Sequence, residues 1–191
     1  MFKTFILLCA AVFLPFVSNA SELSEKLQSS EYVLLMRHTR APGIGDPENF
    51  NLNDCSTQRN LSDEGKQQAI RIGNWLKEQG VTSAIVLSSP WCRCKDTAQL
   101  INFGDIEVAS ALSSFFNETN KANQRNQDLQ RLISEKLKFK SNHALILVTH
   151  EVNISGYTGE SVAAGEMVLA KVDNGGRLQT YRLVPRPEIV K

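Results

Sequence analysis

Tyr32-Val33-Leu34-Leu35-Met36, followed at once by Arg37-His38-Thr39-Arg40, decides the fold. A short apolar run that ends abruptly in four polar side chains reads as a buried strand opening into a polar loop. The same transition recurs twice. Ala84 to Leu87 gives way to Ser88-Ser89-Pro90-Trp91-Cys92-Arg93, and Ala144 to Val148 gives way to Thr149-His150-Glu151. Helical patterns separate these strands. Ser62 is a good N-cap, Asp63 and Glu64 suit the helix dipole, and Ala69, Ile72 and Leu76 follow at helical spacing until Gly80. Further helices are expected from near Pro90 to Ile101, through Leu129, Leu132, Ile133 and Leu137, and after His150 to about Thr158. Ile106 to Val108 reads as a short strand. Met167 to Val172 and Leu178 to Leu183, joined by Asp173-Asn174-Gly175-Gly176, read as a hairpin.

Alternating strands and helices specify an α/β domain. The expectation is a three-layer sandwich, a mostly parallel sheet with helices on both faces and antiparallel C-terminal edge strands. In such sheets ligands bind beyond the carboxyl ends of the strands. If the strands are parallel neighbours, the three polar clusters meet at one sheet edge. That edge then holds His38 and His150 with Arg37, Arg93 and, more peripherally, Arg40.

A phosphoryl group is the ligand this set suits. Planar guanidinium groups match its oxygens with paired hydrogen bonds, and a helix beginning near Arg93 adds its first amides. Neutral imidazole is a competent nucleophile toward phosphorus, and neighbouring arginines disfavour its protonation. A second imidazole, if protonated, can donate to the phosphoryl oxygens, and a carboxylic acid can protonate the departing alcohol. His143 precedes its strand and so belongs to the opposite edge, in a structural or solvated role. Trp91 and the Phe115-Phe116 pair are read chiefly as packing residues. His150-Glu151 does not open a zinc-protease helix, because Ile154 stands where its second histidine belongs.

The clusters also resemble a known pattern. Leu35-Met36-Arg37-His38 is similar to the Arg-His signature of the histidine phosphatase (phosphoglycerate mutase-like) superfamily. Ser88-Ser89-Pro90-Trp91-Cys92-Arg93-Cys94-Lys95-Asp96-Thr97-Ala98 resembles its second block and Val148-Thr149-His150 its third, while Asn60-Leu61-Ser62-Asp63-Glu64-Gly65 resembles the helix start between them. The resemblance implies that His38 forms a phosphohistidine, that Arg37 and Arg93 hold the phosphate, and that His150 completes the pocket. Arg40 and Asn60 are further candidates for substrate contact. It implies no metal and no cofactor, and water as the final acceptor.

Two departures stand out. Thr39 replaces the glycine common after the catalytic histidine. The stretch Ala111-Leu112-Ser113-Ser114-Phe115-Phe116, where a proton-donating acid is common, has none. Glu151, Asp46 and Glu118 are the substitutes, with Glu151 ranked first.

The bulk properties set limits. The chain has 191 residues, 42% apolar and 21% charged, which suits one globular domain, expected over residues 21–191. Residues 1–20 read as a secretory signal peptide, with Lys3, an apolar stretch from Phe5 to Val17, and Ser18-Asn19-Ala20 at the cleavage position. Export to the periplasm or the exterior is therefore expected. Removing that segment takes one lysine and no acid, leaving twenty basic residues against twenty acidic ones. No basic excess invites nucleic acid or a membrane surface. The expected partner is a small phosphorylated molecule, with the chain a monomer or homodimer. Cys55, Cys92 and Cys94 remain, and export permits Cys55 to pair with either of the other two. Two rival functions persist: a phosphotransferase or mutase, and a non-catalytic module that binds a phosphorylated ligand.

Overall fold

The computed structural model describes residues 21–187. The expected signal segment lies outside the described residues. Six strands form one sheet: β1 (Tyr32–Arg37), β2 (Ala84–Ser88), β3 (Ile106–Val108), β4 (Ala144–Thr149), β5 (Met167–Val172) and β6 (Leu178–Val184). Their order is β3-β2-β4-β1-β5-β6. The pairs β1–β4, β2–β4 and β2–β3 are parallel, whereas β5 runs antiparallel to both β1 and β6.

The continuous apolar character of β1 and β4 follows from burial on both faces, because alternate side chains enter opposite layers. Leu34, Met36, Ile146 and Val148 pack into one core with Leu23, Leu27, Ala69, Ile72, Leu76 and Ala98. Val33, Leu35, Leu145 and Leu147 pack into the other with Leu129, Ile133, Leu137, Ile154 and Tyr157. The first core is covered by α1 (Glu22–Gln28), α2 (Asp63–Glu78) and α3 (Cys92–Leu100), the second by α4 (Ala122–Phe139) and α5 (Glu151–Thr158). The three-layer sandwich expected from the sequence is what the chain forms.

Helix α2 starts at the expected cap, with Ser62 Oγ accepting from Gly65 N–H at 3.1 Å. Gly65 admits no side chain: a Cβ there would lie 2.0 Å from the carbonyl oxygen of Arg40, so the helix start presses directly on the chain that leaves β1.

Helix α1 was not expected, since only Leu23 and Leu27 mark its apolar face. It is held by polar contacts at the far end of α2. Ser21 Oγ donates to Gln79 O at 2.6 Å and Ser24 Oγ to Gly80 O at 2.8 Å, supplying partners to the carbonyls of the turn that ends α2. Lys140, wholly buried, donates to Leu27 O at 2.7 Å and His143 O at 2.9 Å. Burial pushes its pKa down to about 8. His143 lies exposed just before β4, at the edge opposite His38, as expected.

A disulfide joins Cys55 to Cys92, 37 positions apart, and leaves Cys94 as a buried free thiol. It fastens the long segment after β1 to the first residue of α3. Closing a loop of this length stabilises the fold by roughly 4 kcal/mol through the unfolded chain. Reduction is expected to lower the thermal midpoint by several degrees, whereas Cys55→Ser should melt alike with and without reductant.

Candidate active site

The carboxyl ends of β1, β2 and β4 bring the three polar clusters to one cavity of about 680 Å³. His38 follows β1, with its backbone N–H held by Thr149 O at 3.0 Å. Arg93 comes from the first turn of α3, and His150 sits between β4 and α5. Arg37, His38, Arg93, His150 and Glu151 all line this cavity.

His38 is 3% exposed. Its Nδ1 lies 2.8 Å from Thr39 O, and a carbonyl only accepts, so the proton sits on Nδ1. Nε2 therefore presents its lone pair, where Arg93 Nε donates at 3.2 Å. His150 Nδ1 lies 3.4 Å from Arg93 Nη2, and its Nε2 lies 2.8 Å from Ser89 Oγ. Arginine has no acceptor, so Nδ1 accepts and Nε2–H donates to the serine. The two imidazole centroids are 5.6 Å apart, and Trp91 meets the His150 ring edge-on at 5.2 Å.

Both imidazoles are held neutral. Burial is the larger cause, and repulsion from neighbouring arginines adds to it. His38 is pushed down to about 3, and His150 lies well below its ordinary value. The cavity's positive charge in this structure therefore comes from its guanidinium groups, and the condition that the second imidazole be protonated is not met here.

This neutrality has a consequence for stability. An unfolded His38 binds its proton near pH 6.5, the folded one only near 3, so the unfolded chain holds more protons between these values. Stability should fall as pH drops from about 6.5 toward 3. His38→Asn should flatten that decline in thermal melts across the window, whereas superimposable declines in both proteins would contradict the burial argument.

Asp46, in the long loop after β1, is not placed to give up a proton. Its side chain is 7% exposed and faces Arg93 Nη1 at 2.8 Å. Arg59 N–H also donates to it at 3.0 Å and Trp91 Nε1 at 3.0 Å. Burial alone would raise its pKa, but the hydrogen bonds from Arg93, Arg59 and Trp91 outweigh it and hold the carboxylate ionised. Asp46 thereby fixes the Arg93 fork against the two histidines. Glu118 is half-buried at the rim and paired with Lys121, whose hydrogen bond lowers its pKa. Glu151, the first residue of α5, accepts from Ser161 Oγ at 3.0 Å.

Two expected contacts are elsewhere. Arg40 is exposed, 3.3 Å from Glu64, and faces a separate surface recess. Asn60 turns its Nδ2 to Cys55 O at 2.6 Å and does not line the cavity. Loop chemistry carried both away, since the disulfide and the α2 cap fix that segment's direction. Its neighbour Arg59, not singled out from the sequence, does line the cavity. Arg59 is braced by Gly45 O at 2.7 Å and by Ala41 O. The amides expected from the start of α3 are partly committed, because Cys92 N–H donates to Gln58 Oε1 at 3.0 Å. Thr39, which replaces the common glycine, is buried and bonded through N–H and Oγ1 to Thr97 Oγ1 at 3.1 and 3.2 Å. Trp91 does both jobs open to it, packing in the core while its edge borders the cavity.

Arg37 donates from Nη1 to Val162 O at 2.6 Å. Its Nε is buried with no protein partner among the described residues, a donor suited to an oxyanion. Among the described residues no cluster of three or more His, Cys, Asp or Glu side chains could hold a metal ion.

The model of the histidine phosphatase superfamily (branch 1) matches residues 33–120. The fold is similar to that of the protein histidine phosphatase SixA solved with tungstate, at 19% identity and a TM-score of 0.54, covering 80% of this chain and 94% of that one. It is also similar to phosphoserine phosphatase from Entamoeba histolytica in complex with 3-phosphoglyceric acid, at 16% identity and a TM-score of 0.58, covering 83% and 98%. A mycobacterial glucosyl-3-phosphoglycerate phosphatase matches at 13% identity and a TM-score of 0.53, covering 80% and 96%. Identities this low speak to the fold. No curated protein sequence matches.

Proposed function

The chain belongs to the histidine phosphatase superfamily, and from that premise we propose that it is an exported phosphohydrolase that cleaves a phosphomonoester through a phosphohistidine on His38. The observation that carries this reading is the His38 ring itself: Nδ1–H anchored on Thr39 O and the Nε2 lone pair facing the cavity beside a buried guanidinium.

On this reading the phosphate enters against Arg37, Arg59 and Arg93. Arg93 exchanges its bond to Nε2 for bonds to phosphoryl oxygens, and Nε2 attacks phosphorus as the P–O bond to the alcohol breaks. Three fixed guanidinium groups in a buried site stabilise the charge on the equatorial oxygens. Glu151 gives its proton to the leaving oxygen, Asp46 and Glu118 being committed to Arg93 and Lys121. Water then attacks the phosphohistidine with its proton returning to Glu151, the N–P bond breaks, and inorganic phosphate departs. Export is supported by the signal-like sequence of residues 1–20 and by the Cys55–Cys92 disulfide, a bond that persists in oxidising compartments.

The donor role is tested by Glu151→Gln on two substrates. Loss of a proton donor matters most when the leaving alcohol is poor, so activity should fall roughly a hundredfold or more on an alkyl phosphate and much less on an activated aryl phosphate. Equal losses on both would remove Glu151 from that role. The same assays separate the rivals: release of phosphate without transfer to added glycerol supports a hydrolase, efficient transfer a mutase, and binding without turnover a non-catalytic module.

A further inference from the structure

We propose that the cavity is shaped for a phosphomonoester whose alcohol is apolar and bears no negative charge of its own. The inference rests on the phosphohydrolase reading and extends it to the class of substrate.

The cations of the cavity are all at its phosphate end. Among the described residues Arg37, Arg59 and Arg93 are the only lysines or arginines that line it, and Arg59 and Arg93 are already braced by loop carbonyls and Asp46. Two carboxylates complete the charged lining away from Asp46, those of Glu118 and Glu151. Lys121, the cation beside Glu118, is paired to it and does not line the cavity. A leaving group with a carboxylate or a second phosphate would meet, beyond the phosphate end, Glu118 already paired with Lys121 and the acid Glu151, with no cation among the described lining residues left to compensate its charge, an unfavourable arrangement.

Large apolar side chains make up much of the remainder, beside Ser114, Asn117 and Ser161. Ile44, from the loop after β1, is 90% exposed, and Phe116, from the loop after β3, is 49% exposed. Single exposed apolar residues need no explanation. Here two large ones from separate loops border the same cavity, with Phe50 and Trp91 also lining it, their rings 5.9 Å apart. A volume of about 680 Å³ exceeds what a phosphate group needs and leaves room for the alcohol against this surface.

The test holds leaving-group chemistry nearly constant. Hexyl phosphate and glycerol phosphate both release poor alkoxides, but only the first is apolar. The full chain is expected to show kcat/KM at least about tenfold higher on hexyl phosphate, and Ile44→Ser/Phe116→Ser to reduce that ratio by about tenfold, in line with the apolar area the two side chains can cover. Phosphoglycerate should be the poorest substrate of the set. Benzyl phosphate identifies the source: benzyl above hexyl indicates an aromatic alcohol, hexyl above benzyl an aliphatic chain. Equal rates on hexyl and glycerol phosphate, or a ratio that the double variant leaves intact, overturn this inference while the phosphohydrolase reading stands. No turnover of any ester overturns both.

Discussion

His38→Ala is expected to lower kcat/KM for a phosphomonoester by at least about a thousandfold, since it deletes the atom that attacks phosphorus and leaves only binding and charge stabilisation. Stability should not fall with it. The imidazole is buried at a cost, neutral and pushed down to about 3, so a smaller uncharged side chain relieves that cost below pH 6.5 while opening a small cavity. The variant should retain binding of inorganic phosphate, because Arg37, Arg59 and Arg93 remain. A variant that hydrolyses substrate within tenfold of the parent would place the nucleophile elsewhere.

Arg93→Ala is expected to be the most damaging single change to the fold of the site. It removes the guanidinium that touches His38, His150 and Asp46 at once. Asp46 then keeps Arg59 N–H and Trp91 Nε1 but loses the one charged partner it has among the described residues, at 7% exposure. Breaking a buried pair from one side costs about 3–5 kcal/mol, enough to shift the thermal midpoint by 10 °C or so in a domain of this size. The double variant Arg93→Met/Asp46→Leu should recover part of that stability without recovering activity, because the uncompensated charge is gone but the phosphate ligand is not restored. A single variant as stable as the parent would mean that Asp46 is solvated.

The sequence exposed the fold through its junctions. Apolar runs at 32–36, 84–87 and 144–148, each ending in polar residues, predict parallel neighbours, and β1, β4 and β2 lie side by side as expected. His38, Arg93 and His150 follow from those junctions, because each lies directly after a strand end or in the helix that leaves it. What depended on loop path was not legible. Arg59 and Asn60 are adjacent, and only the turn at 55–57 with its disulfide decides that Arg59 faces the cavity and Asn60 the Cys55 carbonyl. Cys92 and Cys94 flank Arg93 on one helix, and the helical twist between them sends Cys92 toward Cys55 and buries Cys94 near Thr149 O, 3.7 Å away. Helix α1 escaped notice because seven residues carry too little periodicity. The charge state of His150 stays open in the sequence because it depends on burial, which composition does not show.

The central claim is that His38 carries phosphorus during turnover. Incubation with a labelled phosphomonoester, rapid quenching in alkali and mapping of the labelled peptide tests it most directly. The account predicts an alkali-stable, acid-labile label on His38, absent from His38→Ala and decaying with release of inorganic phosphate. A label on any other residue, or phosphate released in full with no labelled protein at any time point, would contradict it.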